Sequence, residues 1–193
     1  EKLEELKKSL ETEGLFEVSR KRKLPIYPIK IGVVTSEEGS VWHDIKQTVL
    51  HRYPNVELVL SPTNVQGPTA SSSIARAIGR LDVRSDIDVI ILARGGGSPE
   101  DLWSFNDEIV ARAIFASEHP VITGIGHETD WTISDMVADF RASTPTAAAV
   151  AAVPDITEIY LRIQSHQGSL IRLANSLVND ASKDFDYIRT RLE

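Results

Sequence analysis

His127 and Asp130 lie three residues apart in the string G-H-E-T-D (126–130), a spacing that one helical turn would bring to the same side. A carboxylate beside an imidazole fixes its tautomer and stabilises its protonated form, so such a pair suits a general base or a nucleophile. Helix capping is the competing reading, with Asp130 or Thr132 as N-cap and His127 merely preceding it. The local residues favour neither. Glu128 is a further acid in the same string, and the H-E-x-x-H zinc pattern is absent because residue 131 is tryptophan.

A second cluster follows the apolar run Ile87–Ala93: Arg94, then Gly95, Gly96 and Gly97, then Ser98-Pro99-Glu100-Asp101. The run reads as a strand buried on both faces. Ser98 as N-cap, Pro99 at the first helical position and two acids in the first turn read as a helix start. Glycines let backbone N–H groups approach a phosphate, and a helix start leaves donors unpaired beside a partial positive charge. Arg94 adds a planar, always-charged fork that suits phosphate oxygens. A tight turn with a surface arginine is the alternative, but one glycine suffices for a turn and this loop has three.

Weaker candidates surround these two. Thr35 and Ser36 end the strand pattern K-I-G-V-V-T-S, and Thr35-x-x-Glu38 matches a capping box. Asp44 stands about one turn into the helix expected next, beside a stripe of Val41, Ile45, Thr48 and Val49. Taken alone, Asp44 reads as a solvated acid. Arg141 is either a second phosphate contact or a partner of Asp139 or Asp135, and Thr144-Pro145 caps an alanine-rich helix. Trp103 and Phe105 could stack on bases, although core packing is the commoner use of such aromatics. Gln66-Gly67, in the loop 62–68, could touch substrate, although a plain turn is the commoner reading.

The elements that must position these residues alternate. Strand patterns at 30–36, 56–60, 87–93 and 120–126 are separated by helical ones, the third continuing as a helix through Phe105–Ser117. The alternation predicts an α/β fold of Rossmann-like, doubly wound type, a mostly parallel sheet with helices on both faces. Ligands bind beyond the carboxyl ends of such strands. That geometry gathers Thr35, Ser36 and Asp44, then Arg94 to Asp101, then His127 to Asp130 at one edge. Such a site can bind a phosphate diester and move protons around it.

Before the domain, Leu3, Leu6 and Leu10 mark a helix stopped at Gly14, and the basic knot S-R-K-R-K (19–23) reads as a solvated connector, with nucleic-acid backbone contact as the minority reading. After it, Ile156, Ile163, Leu170 and Leu177 fall seven apart on a long helix that His166 and Asp180 interrupt, which suggests a packing arm. The expected division is 1–24 helix and connector, 25–153 α/β domain, and 154–193 arm. Both ends read as truncated.

The 193-residue composition is that of an ordinary soluble domain, and no apolar run is long enough for a membrane span. Cysteine is absent, which excludes disulfides and thiolate metal sites; a cytoplasmic location fits. The net charge of −7 does not advertise a nucleic-acid binder, so any such role rests on local basic sites or on other parts of a longer protein.

The strings G-V-V-T-S (32–36), V-Q-G (65–67), R-G-G-G-S-P-E-D-L-W-S-F-N-D-E (94–108), G-H-E-T-D and D-F-R-A-S-T-P-T-A-A-A (139–149) resemble the central nuclease domain of the bacterial exodeoxyribonuclease VII large subunit. The resemblance runs from about Leu10 to Val153, with the start of the family's helical arm beyond. It implies hydrolysis of single-stranded DNA from both ends to short oligonucleotides carrying 5′-phosphates. The family's important Asp, Arg, His and Asp fall on Asp44, Arg94, His127 and Asp130. It further implies an amino-terminal OB-fold domain elsewhere in the protein and several small subunits bound through the arm, with a homo-oligomer through the arm also open. No cofactor is strictly required; if Mg²⁺ is used, Asp44, Glu100 and Asp101 are its expected ligands. Two readings from other classes stand beside this one: a nucleotide- or sugar-phosphate-binding domain, and a non-catalytic scaffold that recruits helical partners.

Overall fold

The computed structural model describes residues 2–96, 99–126 and 131–192, with the side chains of residues 99–101 outside that description. Five strands form one sheet: β1 (Lys30–Thr35), β2 (Glu57–Pro62), β3 (Val89–Arg94), β4 (Val121–Ile125) and β5 (Phe140–Ala142). The order is β2-β1-β3-β4-β5 and every pairing is parallel. Strands β3 and β4 are buried at every position, as a central parallel sheet requires, and their β-branched runs suit that setting.

Each face is covered by its own helices. On one face α2 (Ser40–Arg52) and α6 (Pro145–Ala152) bring Val41, Ile45, Val49, Ala148, Ala149 and Ala152 against Ile31, Val33, Val89, Ile91 and Ile122. The other face is covered by α1 (Lys2–Thr12), α3 (Ala70–Asp82), α4 (Glu108–Ala116) and α5 (Ile133–Val137), which enclose Leu10, Ile74, Ile78, Phe105, Ile114 and Ile133. The chain thus steps outward from β1 to β2 beneath α2, then returns past β1 to β3 on the opposite face through α3. The direction of winding reverses between β1 and β3. That reversal opens a crevice at the carboxyl ends of those two strands.

Several local expectations are corrected. The helix expected to open at Ser98-Pro99 and run through Phe105–Ser117 is a 3-10 segment, Pro99–Asn106, followed by a separate α4. Tertiary bonds account for the break: Ser134 Oγ donates to the Phe105 carbonyl at 2.6 Å, and Asn106 Oδ1 accepts from Ile133 N at 2.9 Å. Asp107 is the cap of α4, extended and accepting from Ile109 N. Thr35-x-x-Glu38 is not a capping box: Thr35 ends β1, and α2 begins after an extended Gly39 with no side-chain cap. The capping box lies instead at Thr132 and Asp135, at the start of α5.

The basic knot is not a solvated connector. Arg20 lies 4.1 Å over the Phe115 ring, and Arg22 makes an ion pair with the fully buried carboxylate of Asp139. Leu10 and Leu15 sit in the same apolar cluster as α3 and α4, so the amino-terminal segment is packed into the domain core. The chain divides into two compact units, Glu1–Pro154 and Asp155–Glu193. The second is almost wholly α7 (Ile156–Leu192), a single 37-residue helix with no buried residue. At 1.5 Å per residue it is about 55 Å long. Among the described residues no helix is long and apolar enough to cross a membrane.

Candidate active site at the β1/β3 switch point

Arg94 is the last residue of β3 and only 5% exposed. Its position is set from both sides: it pairs in register with Ile125, and its carbonyl accepts from Gly126 N at 3.3 Å. Its Nη2 lies 3.4 Å from Gln66 Oε1, on the loop that joins β2 to α3. A buried guanidinium at the carboxyl end of a central strand is a fixed positive charge in low dielectric, where its attraction for an anion is greatest.

Gly95 follows, at a close approach to the next layer. A Cβ at that position would stand 3.1 Å from Val41 Cγ2 in the first turn of α2. The end of β3 therefore passes directly beneath the helix that carries Asp44. Asp44 itself is exposed, three residues on from Val41. Thr35 ends the adjacent strand and is fully buried, and its Oγ1 has no hydrogen-bond partner among the described residues. Buried hydroxyls are normally satisfied, so this one is suited to a ligand or loop group at the edge.

A cleft of about 380 Å³ opens beside this corner, lined by Ser36, Glu37, Glu38, Pro62, Thr63, Asn64 and Ser73. A second, of about 390 Å³, shares Ser36, Glu38 and Asn64 with it and is further lined by Gly39, Val65 and Gln66. Ser36 Oγ packs so closely on Gly39 that a Cβ there would lie 2.5 Å away. Thr35, Ser36, Arg94 and Gly95 are therefore at one end of the sheet, as the alternation of strands and helices predicts.

The remaining candidates divide. Thr144 caps α6, its Oγ1 accepting from Ala147 N at 3.1 Å, so its oxygen serves the helix start. Of the partners considered for Arg141, Asp139 is engaged by Arg22, while the Arg141 charge acts on Asp135. The Arg141 guanidinium also lies 4.1 Å over the Trp131 ring. Burial pushes the Asp135 carboxyl above its ordinary range, against the hydrogen bonds from Thr132 and the charge of Arg141. Phe105 is fully buried in the core, whereas Trp103 is exposed. Gly96 is exposed beyond Gly95. Gly97, Ser98, His127, Glu128 and Asp130 lie outside the described residues, as do the side chains of Glu100 and Asp101.

Two residues of this edge are only faintly legible in the sequence. Gln66 reads chiefly as part of a turn, with substrate contact as the lesser reading; its approach to Arg94, reaching past β1 from the loop after β2, emerges only in the fold. Trp131 carried no signal beyond excluding a zinc motif. Among the described residues no three His, Asp or Glu side chains converge as a metal cage.

The fold and this corner define a parallel α/β domain with a buried arginine and a cleft at its switch point. The sequence model of the exonuclease VII large subunit family matches residues 15–193, and the chain belongs to that family. It is 56% identical over 168 residues to the exodeoxyribonuclease 7 large subunit of Enterococcus faecalis, covering 87% of this chain and 37% of that protein. Against the same subunit of Geobacillus kaustophilus it is 53% identical over 169 residues, 88% of this chain and 38% of that protein. The Listeria innocua subunit is 45% identical over 190 residues, 98% of this chain and 42% of that protein. The chain thus spans about two fifths of the length of the curated relatives it matches.

Proposed function

We propose that this chain is the nuclease portion of an exonuclease VII large subunit and that it hydrolyses single-stranded DNA from both ends to short oligonucleotides carrying 5′-phosphates. The observation that carries the reading is the buried Arg94 at the β1/β3 switch point, followed by the bare approach of Gly95 to the helix of Asp44. Family membership supports the choice of a phosphodiester over other anions. The sequence lacks the G-x-G-x-x-G spacing of a dinucleotide site, which ranks the nucleotide-binding reading lower.

In this mechanism Arg94 and the N–H groups of the loop Gly95–Ser98 hold the scissile phosphate and the charge that develops on it. His127, oriented by Asp130, takes a proton from water as its oxygen attacks phosphorus, or attacks directly to form a phosphorus–nitrogen bond that water then cleaves. The bond from phosphorus to the 3′ oxygen breaks, leaving the phosphate on the 5′ side of the next nucleotide. Asp44 supplies the proton that the leaving oxygen takes up. Thr35, Ser36, Arg141 and Thr144 line the approach, with Glu100, Asp101 and Glu128 as further acids. A divalent ion, where used, would add charge at the phosphate and would be held by Asp44, Glu100 and Asp101; no step above passes through it. The single helix α7 is the surface offered to small subunits, with self-association through it as the alternative.

The test uses the complete large subunit with its small subunit and end-labelled single-stranded DNA. Wild type, Arg94→Ala and His127→Ala are compared, each with magnesium and with excess chelator. Cleavage by wild type in both buffers and its loss in both variants is expected. Cleavage only with magnesium would move the central role to Asp44, Glu100 and Asp101. An Arg94→Ala protein that cleaves at the wild-type rate would remove the phosphate assignment.

A further inference from the structure

Trp131 is the first described residue after the G-H-E-T-D string and is 58% exposed, an unusual setting for the largest apolar side chain. It is not a loose surface residue. The Arg141 guanidinium lies 4.1 Å from the centre of its ring, a cation–π stack that covers one side of the indole. Its backbone is fixed at the next residue, where Thr132 forms the capping box of α5: Thr132 N and Oγ1 donate to Asp135 Oδ2 at 2.9 and 2.8 Å. Arg141 is fixed as firmly, in the middle of β5 and in register with Thr123 of β4. Its charge also acts on the buried Asp135. An exposed indole is thus held in one orientation by two rigid elements.

Its place in the fold gives this rigidity a use. Arg94 pairs with Ile125 on β4, and Arg141 pairs with Thr123 two residues earlier. Strand spacing then puts the two arginine backbones about 12 Å apart at the same end of the sheet. A short run of single strand crossing the crevice spans that interval. We propose that Trp131, backed by Arg141, is a stacking platform for an unpaired nucleobase adjoining the phosphate held at Arg94. A base has a π-face whatever its identity, so such a platform is indifferent to sequence. It nevertheless discriminates against a duplex, whose bases are already stacked on one another. The platform rests on the reading of the site as one for single-stranded DNA, and it adds the residue that senses strandedness.

The experiment uses the complete large subunit with its small subunit and oligothymidylate carrying a single 2-aminopurine, whose fluorescence falls when it stacks. Trp131→Ala and Trp131→Phe are compared with wild type for KM, kcat, thermal unfolding and fluorescence on binding. For Trp131→Ala a KM about ten-fold higher is expected, with little change in kcat or melting temperature, and with the fluorescence loss abolished. Trp131→Phe should restore most of both. A Trp131→Ala protein with wild-type KM and undiminished quenching overturns the platform, even where Arg94→Ala is inactive and the nuclease reading stands. A wild-type complex that neither binds nor cleaves the oligonucleotide overturns the nuclease reading and the platform with it.

Discussion

Asp139 and Arg22, 117 residues apart, are joined by a double contact at the amino end of the sheet. Asp139 Oδ1 accepts from Arg22 N at 2.7 Å and from Nε at 3.0 Å, while Oδ2 accepts from Val121 N at 2.7 Å and faces Nη2 at 2.9 Å. One fully buried carboxylate therefore ties the segment after α1 to the first residue of β4 and stands directly before β5. Removing one member of a buried pair leaves the other desolvated, so Asp139→Ala is expected to cost about 3–5 kcal/mol in urea unfolding. Arg22→Ala leaves both backbone donors on Asp139 and should cost clearly less. Equal losses would mean that the backbone bonds contribute little.

Gln66 is expected to act through Arg94. Its amide oxygen is 3.4 Å from Nη2, a long contact that restrains rather than anchors. Loss of the phosphate fork itself should lower kcat by roughly 10²–10³-fold, by analogy with removal of an oxyanion donor. Gln66→Ala should lower kcat by a smaller factor with unchanged thermal stability, and Gln66→Asn should fall between the two. Single-turnover cleavage measures the order; a Gln66→Ala rate equal to wild type would leave the contact without consequence.

Asp135 gives a dependence on pH. Its folded carboxyl binds a proton more readily than the unfolded one, because burial outweighs its hydrogen bonds. The folded state therefore holds more protons across the interval, and stability declines as pH rises from the ordinary carboxylate range through the raised value. Asp135→Asn keeps an acceptor for Thr132 and removes the titration. Its stability curve should lack that component of the decline, which denaturant midpoints measured from pH 4 upward would reveal. A variant whose curve parallels wild type throughout would place the pH dependence elsewhere.

Gly124 is the tightest point beneath α6. A Cβ there would lie 2.9 Å from both Ala148 Cβ and the Thr144 carbonyl, and 3.0 Å from Pro145 Cα. These are backbone or near-backbone atoms that cannot turn aside. Gly124→Ala should cost about 1–3 kcal/mol through overpacking and lower the melting temperature. An unchanged melting temperature would mean that α6 shifts freely on β4.

The fold was legible where burial leaves a compositional trace. The runs K-I-G-V-V-T and V-I-I-L-A-R are β-branched and bounded by glycine or turn residues, and the structure places both as central parallel strands. Thr144-Pro145 was legible as a helix start because capping is chemistry local to a few residues. Features made by distant partners were not. The break at Asp107 depends on bonds from Ser134 and Ile133, and the docking of Arg20 and Arg22 depends on Phe115 and Asp139. The three residues of β5 are too few to show a period. At the candidate site, Arg94 and Gly95 announced themselves by type and order. Gln66 did not, because a loop glutamine acquires meaning only from the strand it faces.

The brevity of β5 also bears on how this domain meets other chains. An outer strand exposes unpaired N–H and C=O groups that invite another strand to add. Here that margin is three residues long and gives way to Pro145, which has no N–H to offer. A sheet that stops so abruptly resists templating by a neighbour, so adjacent copies do not add to one another as a growing ribbon on this side.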